Sequence, residues 1–259
     1  MGAGALREMP LPVHVFTRCV RRAAAVLPLL LSVSWGAAQA QRSPTDSFPR
    51  PDRPVSRIVA PRWIAEDDRD AYGEAELVLD LLRLRAGSRV ADIGAGDGYY
   101  VRHLAERVGD SGRVFGQDIE PRYLALLRDR VATAGWTNVE VVEGTPGDPK
   151  LPAGSIDVAL MIHMYHEIAE PFALLYRLAP AFRPAGRLAI LDQDAPTDRH
   201  GTPPRLLTCE LGAMGYALMR REEMPDGAYL MIFRAPEGAA RPTSAADVAA
   251  RVARARCRA

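Results

Sequence analysis

The sequence predicts an α/β protein: a doubly wound, mainly parallel sheet that ends in an antiparallel hairpin. Three observations carry that expectation. Short apolar runs alternate with helical patterns along most of the chain. A glycine cluster lies where the first of these runs turns into a helix. The last two runs flank Pro225-Asp226-Gly227, a turn signal too short for a crossover connection.

Each element follows from its residues. Leu77, Leu81 and Leu84, with Val78 beside them, recur at helical spacing between Asp70 and Leu84, and Gly87 closes that segment. Arg89 to Ile93 is a short strand entering the glycine cluster, followed by a helix from Tyr99 to Val108. A second strand, Arg113 to Asp118, precedes Pro121, a favoured first helical residue, and a helix to about Ala134. Val139 to Val142 is β-branched and strand-like, and Ile156 to Ile162 suits a strand buried on both faces. Pro171 opens a helix through Leu178, and Gly186 to Leu191 forms a fifth strand. Gly215 to Met219 and Ala228 to Phe233 form the hairpin, bringing the sheet to seven strands.

The composition is that of an ordinary globular protein, 48% hydrophobic and 25% charged over 259 residues. The formal net charge is +1, and without residues 1–40 it is −2, from 29 basic and 31 acidic residues. A near-neutral body gives no electrostatic case for nucleic acid as a partner.

The N-terminus has the order of an export signal: Arg18, Arg21 and Arg22, an apolar run from Ala23 to Trp35, then Ala38-Gln39-Ala40. The run is 13 residues long, and a spanning helix needs about 20, so no stable membrane anchor is expected. The expectation is a signal peptide over residues 1–40, cleaved after Ala40, and export to the periplasm. Residues 41–64 carry five prolines and read as an extended leader without a core of its own. The main domain is placed at 65–236, followed by an Ala/Arg-rich tail at 237–259 that reads as a solvated helix or an unordered segment. Cys209 and Cys257 either pair or remain free thiols, and the sequence leaves both open.

The glycine cluster is Asp92-Ile93-Gly94-Ala95-Gly96-Asp97-Gly98. Glycines at a strand-to-helix turn let a ligand approach the backbone, and the helix N-terminus favours an anionic group. A dinucleotide fingerprint would place its third glycine at 99, where this chain has Tyr99, so the spacing disfavours a nicotinamide cofactor. Val90 to Gly98 resembles motif I of the class I S-adenosylmethionine-dependent methyltransferases, and Val114 to Pro121 is similar to their second motif. Leu151 to Val158 and Arg183 to Leu188 resemble the entries to their fourth and fifth strands. The resemblance covers about residues 70–236 and implies a Rossmann-like fold, S-adenosyl-L-methionine as cofactor and a methyltransferase acting on a small molecule.

Carried over position by position, the resemblance places Asp92, Gly94, Gly96 and Gly98 at the amino-acid end of the cofactor. Asp118 would hold the ribose hydroxyls, with Ile119 against adenine. Gly144 and Thr145 fall on the adenine loop, where the usual acid is displaced to Asp148. The backbone of His163 would approach the methionine amino group.

The loop that continues through Tyr165, His166 and Glu167 supplies the catalytic candidates. His166 or Tyr165 could orient or deprotonate an acceptor. Equally, His166 and Glu167 could cap the next helix or satisfy buried backbone groups. His163 and His166 are spaced i, i+3, which is not the H-E-x-x-H zinc pattern, and no third ligand is evident from the sequence, so no metal is expected. Two functional readings therefore stand. One is an exported methyltransferase with an unidentified small-molecule acceptor. The other is an exported, non-catalytic Rossmann-like domain that binds the cofactor or a related nucleoside.

Overall fold

The computed structural model describes residues 47–58, 66–225 and 227–258. The signal sequence expected over 1–40, its cleavage point and the turn residue Asp226 lie outside the described residues. Among the described residues no helix is long and apolar enough to cross a membrane.

The strands are β1 (Arg89–Ile93), β2 (Arg113–Asp118), β3 (Val139–Glu143), β4 (Ile156–Ile162), β5 (Phe182–Gln193), β6 (Ala217–Glu223) and β7 (Ala228–Arg234). They form one sheet in the order β3-β2-β1-β4-β5-β7-β6. The first five run parallel, and β7 lies antiparallel between β5 and β6. This is the Rossmann-like arrangement expected from the sequence. The helices are α1 (Glu66–Ala71), α2 (Glu74–Leu81), α3 (Tyr99–Val108), α4 (Pro121–Ala134), α5 (Pro171–Leu178), α6 (Pro204–Ala213) and α7 (Ala245–Ala255).

Strand periodicity divides the core. Along β4, Val158 and Leu160 point to one face, where they join Leu79 of α2, Leu104 of α3 and Leu127 of α4. Ala159 and Met161 point to the other, with Leu175 of α5, Leu207 of α6 and Val248 of α7. Both faces are covered, so the parallel strands read as continuous apolar runs.

Three features depart from the sequence expectations. The helix expected from Asp70 to Leu84 is two helices, broken at Gly73, whose φ of 67° is left-handed and open to glycine without cost. The tail is the expected helix but is docked by one face: Ser244 caps α7 by accepting the Asp247 N–H at 3.1 Å, and Val248 is wholly buried while Ala246, Ala250 and Arg254 face solvent. A Cys209–Cys257 disulfide ties the end of that tail to α6.

The third departure is the leader. Phe48 packs on Tyr176 with ring centroids 5.1 Å apart, and Arg53 and Ser56 are buried. The Arg53 Nε donates to both Glu210 carboxylate oxygens, at 3.1 and 3.3 Å. Its Nη2 and Nη1 reach the carbonyls of Tyr165 and His166, at 3.2 and 3.4 Å. The Ser56 N–H donates to the His166 carbonyl at 3.0 Å. An arginine among prolines reads as solvated, and only its distant partner Glu210 makes burial tolerable.

The Arg53 and Glu210 side chains are 0% and 1% exposed, so removing one partner strands the other charge in the interior. Arg53→Ala should lower unfolding stability by about 3–5 kcal/mol in denaturant titration. Arg53→Met combined with Glu210→Gln should recover part of that loss. Near-wild-type stability in Arg53→Ala would show that the leader is not held by this pair.

Candidate functional site

The chain runs from β1 outward through β2 and β3, then returns to β4 on the other side of β1. Loops leaving the carboxyl ends of β1 and β4 therefore part in opposite directions and leave a crevice, the position where doubly wound sheets bind ligands. A cavity of about 870 Å³ opens there, lined by residues from both loops and from the ends of β2 and β5.

The glycine loop forms one end. The Gln117 carbonyl accepts N–H groups from Gly94 and Ala95, at 2.8 and 2.9 Å, folding the loop back over β2. Gly96 has φ 58°, and a Cβ there would meet nothing within 4 Å, so its half-buried backbone borders open space in the cavity. Gly98 serves a different purpose. With φ 93° it begins α3, and a Cβ would lie 2.5 Å from the Leu127 side chain of α4. Its role is close packing of α3 on α4, outside the cavity lining.

Two buried carboxylates lie below this loop. Asp118 accepts the Gly96 N–H at 2.8 Å through Oδ2, and the Ile119 and Glu120 N–H groups at 2.7 and 2.9 Å through Oδ1. A carboxylate has about four acceptor positions, so three backbone donors leave about one for a ligand hydroxyl. Asp92 is 3% exposed, and burial raises its carboxyl to about 7, with Arg69 opposing the shift and Asp118 adding to it. Ile119 and Thr145 also line the cavity.

Arg69 and Glu74 extend this electrostatic floor. The Arg69 guanidinium stacks 3.9 Å from the Tyr99 ring centroid and lies 3.5 Å from Glu74. Glu74 accepts from the Tyr100 hydroxyl at 2.9 Å and pairs with His163 Nε2 at 2.9 Å. Burial would raise the Glu74 carboxyl, but the His163 hydrogen bond and charge, with Tyr100 and Arg69, bring it down to about 2. The His163 side chain is thus engaged with α2.

The other end of the cavity is the short 3-10 turn Tyr165–Glu167. His166 is 2% exposed and pairs through Nδ1 with both oxygens of Asp192, at 3.0 and 3.1 Å. Asp192, at the end of β5 and fully buried, also accepts the Thr202 hydroxyl at 2.7 Å and the Gln193 N–H at 2.9 Å. A carboxylate only accepts, so Nδ1 is the donor, and the other ring nitrogen, Nε2, is turned toward Glu167. Glu167 and His200 stand beside it, each 3.9 Å ion-pair distance being measured from Glu167 Oε1 to a histidine nitrogen.

Most of the expected site residues thus meet in one cavity: Asp92, Gly94, Gly96, Asp118, Ile119, Thr145, His163, His166 and Glu167 all line it. Three do not. Gly98 packs helices, as above. Gly144 is closed in, since a Cβ would lie 2.9 Å from the Asp148 carbonyl and closer still to Gln117. Tyr165 is fully buried away from the lining, its hydroxyl donating to Glu210 at 2.8 Å, and belongs to the Arg53 network. Residues that the sequence reading passed over are Arg69, Glu74, Asp192 and His200. Only Asp192 carried a signal, its place at the carboxyl end of a central strand.

Residues 90–186 match the methyltransferase domain family. The chain is 34% identical over 116 residues to nocamycin O-methyltransferase of Saccharothrix syringae, covering 45% of this chain and 41% of that protein. It is 33% identical over 147 residues to protein-L-isoaspartate O-methyltransferase of Methanothrix thermoacetophila, covering 54% and 60%. A crystal structure of an S-adenosylmethionine-dependent methyltransferase from Aquifex aeolicus superposes with TM-score 0.59 at 25% identity, over 62% of this chain and 89% of that one. The chain spans about half the length of the curated relatives it matches. Residues 90–186 therefore resemble a methyltransferase domain, and S-adenosylmethionine, the cofactor named for the Aquifex aeolicus structure, is the one to set against this cavity.

The cavity suits that cofactor. Gly96 leaves room for direct backbone approach, and two carboxylates face a ligand that carries positive sulfonium and ammonium groups. This yields a pH prediction. Because the folded state raises Asp92 above its ordinary value of 3.8, to about 7, it binds the proton more tightly than the unfolded chain. Stability of the cofactor-free protein should therefore fall as pH rises from about 4 to about 7, by up to about 4 kcal/mol. A cationic cofactor favours the ionised carboxyl, so its affinity should rise across pH 6–8 in calorimetry. Asp92→Asn should flatten both profiles, and a wild-type affinity independent of pH would remove Asp92 from the cofactor's surroundings.

Proposed function

We propose that this protein is a methyltransferase that transfers the methyl group of S-adenosylmethionine to a small-molecule acceptor. A single continuous cavity carries the reading, with the glycine loop and Asp118 at one end and the Asp192-oriented His166 at the other. At about 870 Å³ it falls within the usual range of small-ligand sites, roughly 300–1,000 Å³. The cofactor supplies an electrophilic methyl, and the protein's task is to hold an acceptor atom in line with it and exclude water.

Asp118 and the Gly94–Gly96 backbone bind the ribose and amino-acid portions, and Ile119 and Thr145 border the base. His166 presents Nε2 to the acceptor end, where Glu167 and His200 complete a polar wall. A domain that only bound a nucleoside would have no use for a buried Asp192–His166 pair aimed at the far end of its cavity. The isoaspartate relative motivates a protein carboxylate as the acceptor to test against small molecules.

We further propose that the chain is exported. The Arg18–Ala40 order of basic, apolar and Ala-x-Ala segments supports this, and a disulfide between Cys209 and Cys257 suits an oxidising compartment. Mass spectrometry of the native protein should find Gln41, or its cyclised form, at the N-terminus. A cytoplasmic protein retaining residues 1–40 would overturn the export reading.

Calorimetry on protein beginning at Gln41 should detect S-adenosylmethionine or its demethylated product, and not NAD. Asp118→Ala should weaken that binding by roughly 1.5–3 kcal/mol, the range for hydrogen bonds to a charged group. Unchanged affinity would take Asp118 out of the ribose site. With an acceptor found by screening for the demethylated product, His166→Ala should cut turnover about 10²–10⁴-fold and leave cofactor affinity nearly unchanged. Full turnover in that variant would remove His166 from the acceptor end.

A further inference from the structure

We infer that the acceptor end of the cavity is a divalent-metal site formed by His166, Glu167 and His200, with zinc(II) the ion its donors fit. The inference rests on the proposed methyltransferase reading only for what the metal would hold, not for the metal binding itself. One ligand atom from each residue can be chosen so that all lie within 4.8 Å of one another. Glu167 Oε1 is 3.9 Å from His166 Nε2 and 3.9 Å from His200 Nδ1. Two donors on a tetrahedral zinc, each at about 2.0–2.1 Å, stand about 3.4 Å apart. The two carboxylate–imidazole separations therefore close by about half an ångström, and the imidazole–imidazole separation, within 4.8 Å, by at most about 1.4 Å, which rotation of the half-exposed His200 side chain can supply.

The surroundings of these residues favour a ligand role. Metal-bound histidines typically donate their second ring N–H to a carboxylate, which fixes the tautomer and aims the other nitrogen at the ion. His166 has that arrangement, with Nδ1 on Asp192 and Nε2 toward Glu167. Asp192 is itself held by Thr202 and the Gln193 N–H. The same Thr202 anchors the loop that carries His200. Its N–H donates to the Gln193 carbonyl at 2.9 Å, as does that of Ala195. A Cβ on Gly201 would lie 2.7 Å from that carbonyl, so the loop closes tightly there. His200 adopts φ 56°, a left-handed conformation that few residues other than glycine hold, and its ring stands edge-on to His166 with centroids 5.4 Å apart.

Two imidazoles and one carboxylate are the donor set of open zinc sites, in which a fourth position is left for a non-protein ligand. All three residues line the cavity that also receives the cofactor. An ion held there would take an oxygen, nitrogen or sulfur atom of the acceptor in its open position. That places the acceptor class: a small molecule with a metal-ligating nucleophile.

The experiment uses the full processed chain with its disulfide intact, stripped with a chelator and dialysed. Titration with zinc chloride alone should show one ion per chain. His200→Ala, which truncates a half-exposed side chain, should weaken zinc binding at least tenfold. Asp192→Asn should weaken it about 10–100-fold, the usual effect of losing a carboxylate behind a histidine ligand. His103→Ala, outside the cavity, should leave it unchanged. Cobalt(II) in place of zinc should give visible absorption in the wild type that His200→Ala loses. Absence of stoichiometric zinc binding, or equal affinity in His200→Ala, overturns the inference. S-adenosylmethionine calorimetry on the same samples separates the two proposals. Cofactor binding without zinc binding sinks the metal site alone, and zinc binding without cofactor binding sinks the methyltransferase reading alone.

Discussion

The Arg53–Glu210 pair governs more of this molecule than any other single interaction. It joins three segments far apart in sequence: the leader, the turn after β4 and helix α6. Two charges withdrawn from water are tolerable only when each is fully coordinated, and here the coordination is distributed. Glu210 takes Arg53 Nε and the Tyr165 hydroxyl, while the remaining guanidinium donors reach the carbonyls of Tyr165 and His166. Burial pushes the Glu210 carboxyl up even with the guanidinium beside it, a measure of how far the pair is removed from solvent. The consequence is positional. The turn that presents His166 to the cavity is fixed from behind by a charge network it does not itself contain.

The cofactor end obeys a different constraint, set by topology. Parallel strands end together, so the carboxyl ends of β1 and β2 bring Asp92 and Asp118 near each other under one glycine loop. Two carboxylates so placed repel, and burial adds to the cost of charging Asp92. Asp118 escapes by accepting three backbone N–H groups, which makes it a structural brace of the loop. Asp92 has only Arg69 to oppose its burial and is left close to neutrality's edge. A positively charged ligand relieves that stress, linking the cost of burying Asp92 to the chemistry of what binds there.

Much of this was legible in the sequence, and the division is physical. Periodicity and turn chemistry depend on neighbours in the chain, so α3, α4 and α5 begin where Gly98, Pro121 and Pro171 place them. The glycine loop was legible for the same reason, since its constraints are local. Contacts between distant segments were not. Nothing near Arg53 announces Glu210, nothing near His166 announces Asp192 or His200, and Cys209 and Cys257 are 48 residues apart. Tyr165 illustrates the limit: adjacent to His166 in sequence, it turns the opposite way, into the core. In a 3-10 turn successive side chains project about 120° apart, so neighbours in such a loop need not share a site.

These two kinds of information map onto two halves of the cavity. The segment matching the methyltransferase domain family, residues 90–186, contains the glycine loop, Asp118, the turn with His166, all of β2 to β4 and all of β1 but its first residue. Asp192, His200, Arg53 and Glu74 lie outside it, yet Asp192, His200 and Glu74 each hold or face a side chain in the cavity, and Arg53 holds the backbone carbonyl of His166. The glycine-loop half takes its backbone from the shared segment, with Arg69 and Glu74 of the helices before β1 set against it. The His166 half is completed by the leader and the loop after β5. The loop after β5 is a connecting segment of the kind that varies without disturbing a sheet, whereas the leader is tied into the core through Arg53 and Glu210. A fold that keeps its cofactor site in the core and its acceptor site in surrounding loops can exchange acceptors while retaining the same methyl donor.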